Sequence, residues 1–185
     1  MRIISGKFKS RKIVSGNYKQ LRPTLDRVKQ TIFDILFNYI NIEDKIVLDG
    51  FAGTGNLGIE AISRYASKCY FVDNHYDSIQ IIKKNIRNLD IKENSILIKK
   101  NFYKFIKNFK KYEFFNLVFL DPPYKQDHIG KILNNDYFNR LCKNGAIVIA
   151  EVEKNYNISY NENWETINQR EISNTMVYFL KKRKG

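Results

Sequence analysis

The chain has 185 residues and 22.0 kDa, which suits one main domain with a small added segment. Its hydrophobic content of 43% supplies a core, no apolar run reaches membrane-spanning length, and Cys69 and Cys142 stand far apart with no CxxC. These features argue against a membrane protein, a zinc site and a disulfide scaffold; with no secretory leader after Met1, the expectation is a soluble cytoplasmic protein.

The net charge of +13 is unevenly placed. Residues 1–30 carry nine basic side chains (Arg2, Lys7, Lys9, Arg11, Lys12, Lys19, Arg22, Arg27, Lys29) against Asp26 alone, and the tail adds Lys181, Lys182, Arg183 and Lys184. Residues 31–180 are nearly neutral. A concentrated cationic segment suits a phosphate backbone, so the N-terminal segment is read as a nucleic-acid contact and the tail as a solubility feature.

In chain order, RIISGKFKSRKIV reads as two short strands around Gly6, with Ile3, Ile4, Ile13 and Val14 as apolar anchors. Gly16 and Asn17 mark a loop that Pro23 ends, and Thr24 is the expected N-cap of a helix. In that helix Leu25, Val28, Ile32, Ile35, Leu36 and Tyr39 form one apolar stripe, the face that should pack on the main domain. From residue 45 short apolar runs alternate with helical patterns. KIVLD (45–49) is followed by a Gly-rich turn and a helix over 56–65; KCYFVD (68–73) by a helix marked by Ile79, Ile82, Ile86 and Leu89. SILIK (95–99) precedes a helix with Phe102, Phe105, Ile106 and Phe109 on one face; FNLVFLD (115–121) precedes a helix over 127–140; GAIVIAEV (145–152) is the fifth strand. Such alternation predicts a parallel sheet covered on both faces.

WETINQR and TMVYFLKK are separated only by residues 171–174, too short a gap for a parallel crossover, so they should form an antiparallel hairpin. The expected fold is α/β: a Rossmann-like, seven-stranded, mostly parallel sheet with a C-terminal antiparallel hairpin, the layout of the class I methyltransferase fold. An N-terminal β-hairpin and helix (residues 1–40) precede the main domain (residues 41–185).

Asp49 ends the first strand, Gly53 and Gly55 form the turn, and Asp73 ends the second strand twenty residues after Gly53. Glycines let a ligand approach the backbone, and an acid at the second strand can accept both hydroxyls of a ribose. Gly53, Gly55 and Gly58 also match GxGxxG, a dinucleotide fingerprint. Asp49 favours S-adenosylmethionine over a dinucleotide: it would repel a pyrophosphate at the helix N-terminus but attract a sulfonium or ammonium. The alternative is that Asp49 only caps the turn. Asn101 is a candidate for the adenine amino group and Phe102 for flanking the ring, with helix capping and core packing as their structural alternatives.

The fourth strand ends in Asp121-Pro122-Pro123-Tyr124. Two prolines stop the ladder and stiffen the loop. The lone pair of a base amine is delocalised into its ring. Two acceptors aimed at its N–H bonds, Asp121 Oδ and the Pro122 carbonyl, favour pyramidal geometry and localise that pair, and Tyr124 can stack on the base.

RIISGKFKSRKI, RPTLDRVKQTIFDIL (22–36), VLDGFAGTGNLGIEAISR (47–64) and FLDPPY (119–124) together resemble the bacterial 16S rRNA guanine-N2 methyltransferases of the RsmD type over nearly the whole chain. The resemblance implies methyl transfer from S-adenosylmethionine to guanine N2, with Asp121, Pro122 and Tyr124 at the base. It puts Asp49, Gly53, Gly55 and Asp73 at the cofactor, to which Phe51, Asn101 and Phe102 are added as candidates. It implies small-subunit rRNA, assembled or partly assembled into the subunit, as substrate, met by Arg2, Lys7, Lys9, Arg11, Lys12, Arg22, Thr24 and Arg27. A monomer without metal is expected. The chain departs from the family at Gly50, where a larger apolar residue is usual, at Asn101, where Asp is common, and in EISNTMVYF, which lacks an RYG-like turn. His75 and His128 share no ligand spacing and are read as surface or capping residues; Trp164 is read as packing in the hairpin. Rival readings are a DNA amino-methyltransferase, a protein glutamine methyltransferase, an NAD-binding protein and a non-catalytic RNA-binding assembly factor.

Overall fold

The computed structural model describes residues 1–16, 22–123 and 128–184, and of residues 22–25 the backbone alone. The five apolar runs form parallel strands: β1 (Ile46–Gly50), β2 (Lys68–Asp73), β3 (Ser95–Lys99), β4 (Phe115–Leu120) and β5 (Cys142–Glu153). The hairpin strands are β6 (Trp164–Ile172) and β7 (Thr175–Lys182). β7 pairs antiparallel with both β5 and β6, giving the seven-stranded order β3-β2-β1-β4-β5-β7-β6. This is the class I methyltransferase sheet that the alternation predicts. Its order turns at β1, which opens a crevice beyond the carboxyl ends of β1 and β4.

Helices cover both faces, as strands without a polar side require. On one face Val28, Ile32, Phe33 and Leu36 of α1 (Arg22–Leu36), Ile59 and Ile62 of α2 (Asn56–Ser63) and Ile82 of α3 (Tyr76–Leu89) bury Val47, Phe71 and Phe119. On the other, Phe102, Phe105 and Ile106 of α4 (Phe102–Asn108), Ile132 of α5 (His128–Leu133) and Phe138 of α6 (Asp136–Leu141) cover Leu48, Val72, Val118 and Val148. Among the described residues no helix is long and apolar enough to cross a membrane.

Four local expectations change. α1 starts at Arg22, so Thr24 lies inside the helix and is not its N-cap; Pro23 sits in the first turn, where its missing N–H removes no helical bond. α1 ends at Leu36, which leaves Tyr39 beyond the stripe and half exposed, while Phe33 goes into the core 5.7 Å from Phe119. The helix expected over 127–140 divides at Asn135, whose side chain accepts from the N–H groups of Tyr137 and Phe138 and so starts α6 afresh. Trp164 reaches beyond its hairpin: its ring stacks on Phe138 and its Nε1 donates to Asn139 Oδ1 and the Leu133 carbonyl.

The N-terminal hairpin is held by few backbone bonds. Arg2 and Lys12 form a single antiparallel bridge, and Ile3 N donates to Arg11 O (3.0 Å), Ser10 N to Ile3 O (2.8 Å) and Ile13 N to Met1 O (3.2 Å). Docking supplies the remaining order. Met1, Ile3, Phe8 and Ile13 are buried in the same cluster as α1, α2 and Val47. Glu60 of α2, fully buried, accepts from the N–H groups of Ile4 (2.8 Å) and Ser5 (3.0 Å) and from Arg64 Nε (3.0 Å). Buried Lys29 of α1 lies 3.4 Å from Glu60 and donates to Arg2 O (2.6 Å) and Asn56 Oδ1 (2.7 Å). Burial lowers the Lys29 pKa, and the neighbouring Glu60 opposes that shift.

Candidate active site

The Gly-rich turn joins β1 to α2 with left-handed backbone at Phe51 (φ 60°), Gly53 (φ 55°) and Gly55 (φ 76°). At Gly53 an added Cβ would find only the Phe51 carbonyl, 3.9 Å away, so the backbone lies open to a ligand. Asp73, buried at the end of β2, holds this turn: one carboxylate oxygen accepts Gly53 N–H (2.8 Å) and the other His75 N–H (2.8 Å). Each oxygen keeps acceptor capacity beyond these bonds, which suits a ribose diol.

Asp49 is drawn inward. Its Oδ2 accepts Gly58 N–H (2.9 Å) in the first turn of α2, so the capping role weighed for it is present in the structure. Burial holds its carboxyl well above the usual range; the carboxylates of Asp121 and Asp73 add to this and the Gly58 bond opposes it. Asn101 is likewise an N-cap, accepting Lys104 N–H (3.2 Å) at the start of α4. Phe102 is a core residue, packed on Phe105 and Phe138.

Gly50 explains why Phe102 sits so deep. A Cβ there would lie 2.5 Å from Phe102 Cε2 and 3.1 Å from Leu120 Cδ2, so the ring fills the space that a larger residue would occupy. The half-buried Phe51 ring lies 4.9 Å from Phe102. His128 also lies beside the Phe51 ring, 6.0 Å between rings, and its Nδ1 shares a hydrogen bond with Tyr103 OH (2.9 Å). His128 therefore belongs to the crevice wall rather than to a remote surface, a placement its isolation in the sequence did not signal.

Asp121, Pro122 and Pro123 leave β4 directly into the crevice; Tyr124 lies outside the described residues. Asp121 is exposed on the rim yet closely surrounded by protein, and that partial desolvation pushes its carboxyl up to about 6. Leu120 pairs with Ala150, so the next residues, Asp121 and Glu151, project on the same face of adjacent strands. Glu151 is only 8% exposed. Burial first, then the Asp121 and Asp49 carboxyls, hold it well above the usual range. It lines a recess with Pro122, Pro123, Ile129 and Tyr156. The signal that could have revealed it is a lone acid closing the apolar run IVIA.

The candidate RNA contacts Arg2, Lys7, Lys9, Arg11, Lys12 and Arg27 are all exposed; the side chains of Arg22 and Thr24 lie outside the described set. Lys7 and Arg11 stand 5.3 Å and 5.6 Å from the Phe8 ring, which is buried beneath them. The hairpin lies next to the Gly-rich turn. Thr54 Oγ1 donates to Met1 Sδ (3.7 Å), and Asn85 Nδ2 bridges the carbonyls of Val14 (3.0 Å) and Thr54 (3.1 Å).

The family model described as Conserved hypothetical protein 95 matches residues 1–181. Ribosomal RNA small subunit methyltransferase D of Buchnera aphidicola subsp. Acyrthosiphon pisum is 35% identical over 178 residues, 96% of this chain and 91% of that protein. The protein of the same name from Haemophilus influenzae is 35% identical over 171 residues, 92% of this chain and 88% of its own. A solved Escherichia coli chain described as "Putative methyltransferase yhhF" superposes with a TM-score of 0.85 at 26% identity, covering 100% of this chain and 99% of that one. With its Gly-rich turn, strand-two acid and Asp-Pro-Pro loop on a class I sheet, this chain belongs to the family of ribosomal RNA small subunit methyltransferase D.

Proposed function

We propose that this protein transfers a methyl group from S-adenosylmethionine to the exocyclic N2 of a guanine in small-subunit (16S) rRNA, as a cytoplasmic monomer. The observation that carries the reading is the position of Asp121-Pro122-Pro123, at the end of the strand next to the Gly-rich turn. The fit to S-adenosylmethionine rests on the open backbone at Gly53, the spare acceptor capacity of Asp73 and the half-buried ring of Phe51. Gly53, Gly55, Asp73 and Phe51 would hold it, with Asp49 and Asn101 shaping the turn and helix around it through their caps. When bound, it supplies an electrophilic methyl group on a positively charged sulfur.

The chain's own residues prepare the nucleophile. Asp121 and the Pro122 carbonyl accept the two N–H bonds of the amine, which localises its lone pair toward the crevice. Ionised Asp121 also stabilises the positive charge that grows on nitrogen as the N–C bond forms and the S–C bond breaks, and it is placed to receive the proton that the methylated amine then sheds. Tyr124 stacks on the base. Prolines at 122 and 123 hold these acceptors with little conformational freedom. In this reading residues 1–40 are the RNA-binding unit, with Lys7, Lys9 and Arg11 against phosphates, and residues 41–185 are the catalytic unit.

Mass-spectrometric mapping of modified nucleosides in small-subunit rRNA, from cells with and without the gene, tests the reading. One N2-methylguanosine should disappear with the gene. In vitro, Asp121→Ala should abolish transfer while S-adenosylmethionine binding, read by calorimetry, stays within about threefold of wild type. Near-normal turnover in that variant would overturn the acceptor chemistry; methylation of duplex DNA with RNA inert would overturn the substrate.

A further inference from the structure

Glu151 stands apart from the chemistry derived so far. It is a carboxyl on the last parallel strand and only 8% exposed. It is not remote from the site: it flanks Asp121 across β4 and β5 and lines the recess behind Pro122 and Pro123. A base edge held beside the Asp-Pro-Pro loop would therefore meet this carboxyl.

We infer that Glu151 is the group that selects guanine, pairing through its two carboxyl oxygens with N1–H and O6 of the base while N2 lies at Asp121 and Pro122. This rests on the guanine-N2 reading above. Guanine is the base whose N2 amine adjoins a lactam: N1–H is a donor and O6 an acceptor, side by side. A carboxylic acid matches that edge with two hydrogen bonds, its carbonyl oxygen accepting from N1–H and its hydroxyl donating to O6. The neutral acid is required, since a carboxylate offers acceptors only and would repel O6. Desolvation and the nearby carboxyls of Asp121 and Asp49 favour that neutral form. Of the side-by-side pair, Asp121 is the more acidic, because its side chain is exposed where Glu151 is enclosed. The two carboxyls so divide the work: an ionised acceptor for the amine, and a neutral donor–acceptor for the base edge.

The test compares RNA bearing guanosine with RNA bearing 2-aminopurine at the mapped target. 2-Aminopurine keeps the 2-amino group but lacks N1–H and O6. Wild type should favour guanine by about 10- to 100-fold in kcat/KM, the range expected of a two-bond base contact. Glu151→Gln keeps one acceptor and one donor and should retain the preference. Glu151→Leu should lose it, with its kcat/KM on guanine falling to the level of the analogue. Equal discrimination in wild type and Glu151→Leu would overturn the inference while leaving the guanine-N2 reading intact, and so would loss of discrimination in Glu151→Gln. Guanine that is inert with wild type would overturn both. Calorimetry with S-adenosylmethionine alone checks that each variant keeps its cofactor site; should Glu151→Leu not fold, Glu151→Ala takes its place, with the same expected loss of discrimination.

Discussion

Asp121 must be ionised to stabilise the positive charge that grows on the amine, yet its surroundings favour the neutral acid. With its pKa raised to about 6, kcat/KM should climb as pH rises through about 6 and level off above it. Asp121→Asn should flatten that limb and lower kcat by about 100-fold or more. The same shift acts on stability. The folded-state pKa lies above the unfolded value of 3.8, so holding Asp121 ionised opposes folding; this penalty is absent below about pH 4 and full above about pH 6. Asp121→Asn should therefore melt at or above the wild-type temperature at pH 8, and the difference should vanish by pH 4. The effect stays small because the side chain is exposed and screened. A second residue-scale prediction concerns Gly50. Gly50→Ala pushes a Cβ into Phe102 and should destabilise by about 1–3 kcal/mol in urea titrations. Pairing it with Phe102→Leu should recover part of that loss, a coupling a double-mutant cycle will read. If the two losses simply add, the ring is not what excludes a side chain from position 50.

Among the elements, the docking of the N-terminal hairpin on α2 depends on one acid. Glu60 receives two backbone N–H groups from the hairpin, Arg64 from its own helix and Lys29 from α1. Glu60→Ala strands Lys29 as a buried cation and leaves the two N–H groups without their acceptor. The expected loss is about 3–5 kcal/mol in equilibrium denaturation. Replacing both partners, Glu60→Leu with Lys29→Met, should be less harmful than Glu60→Ala alone if the buried charge is what matters. Elements of this sheet were legible where the pattern is strong: β2 and β3 have the bounds their apolar runs predict, and α3 follows Ile79, Ile82, Ile86 and Leu89. They were less legible where a side chain decides the break. Asn135 divides a helix through its own cap, and Tyr39 continues a helical stripe past the point where α1 ends.

Across the whole molecule, the basic segment is built into the domain's core rather than hung beside it. Met1, Ile3, Phe8 and Ile13 are buried while Lys7, Lys9, Arg11 and Lys12 stay exposed, so the same short segment anchors inward and presents charge outward. Neutralising Lys7, Lys9 and Arg11 to Gln should leave folding intact, weaken RNA binding and reduce the slope of log K against log salt. The expected reduction is about 0.7–0.9 per lost phosphate contact. Fluorescence titrations over a range of salt concentrations would read this, and an unchanged slope would rule out phosphate contact by these residues.

The sequence by itself determined the layers, the mostly parallel sheet with its antiparallel end, the Gly-rich turn at the first strand and the carboxylate loop at the fourth. These follow from local periodicity, from glycine and proline, and from connection lengths, all of which are read along the chain. Only the tertiary structure decided which acids face one another. The sequence distance from Asp121 to Glu151 hides their adjacency, which comes from the pairing of β4 with β5. Likewise Asp49 and Asn101 spend acceptors on backbone N–H groups, and Phe102 turns into space left by Gly50, because a side chain's partners are set by packing across elements and not by its neighbours in sequence.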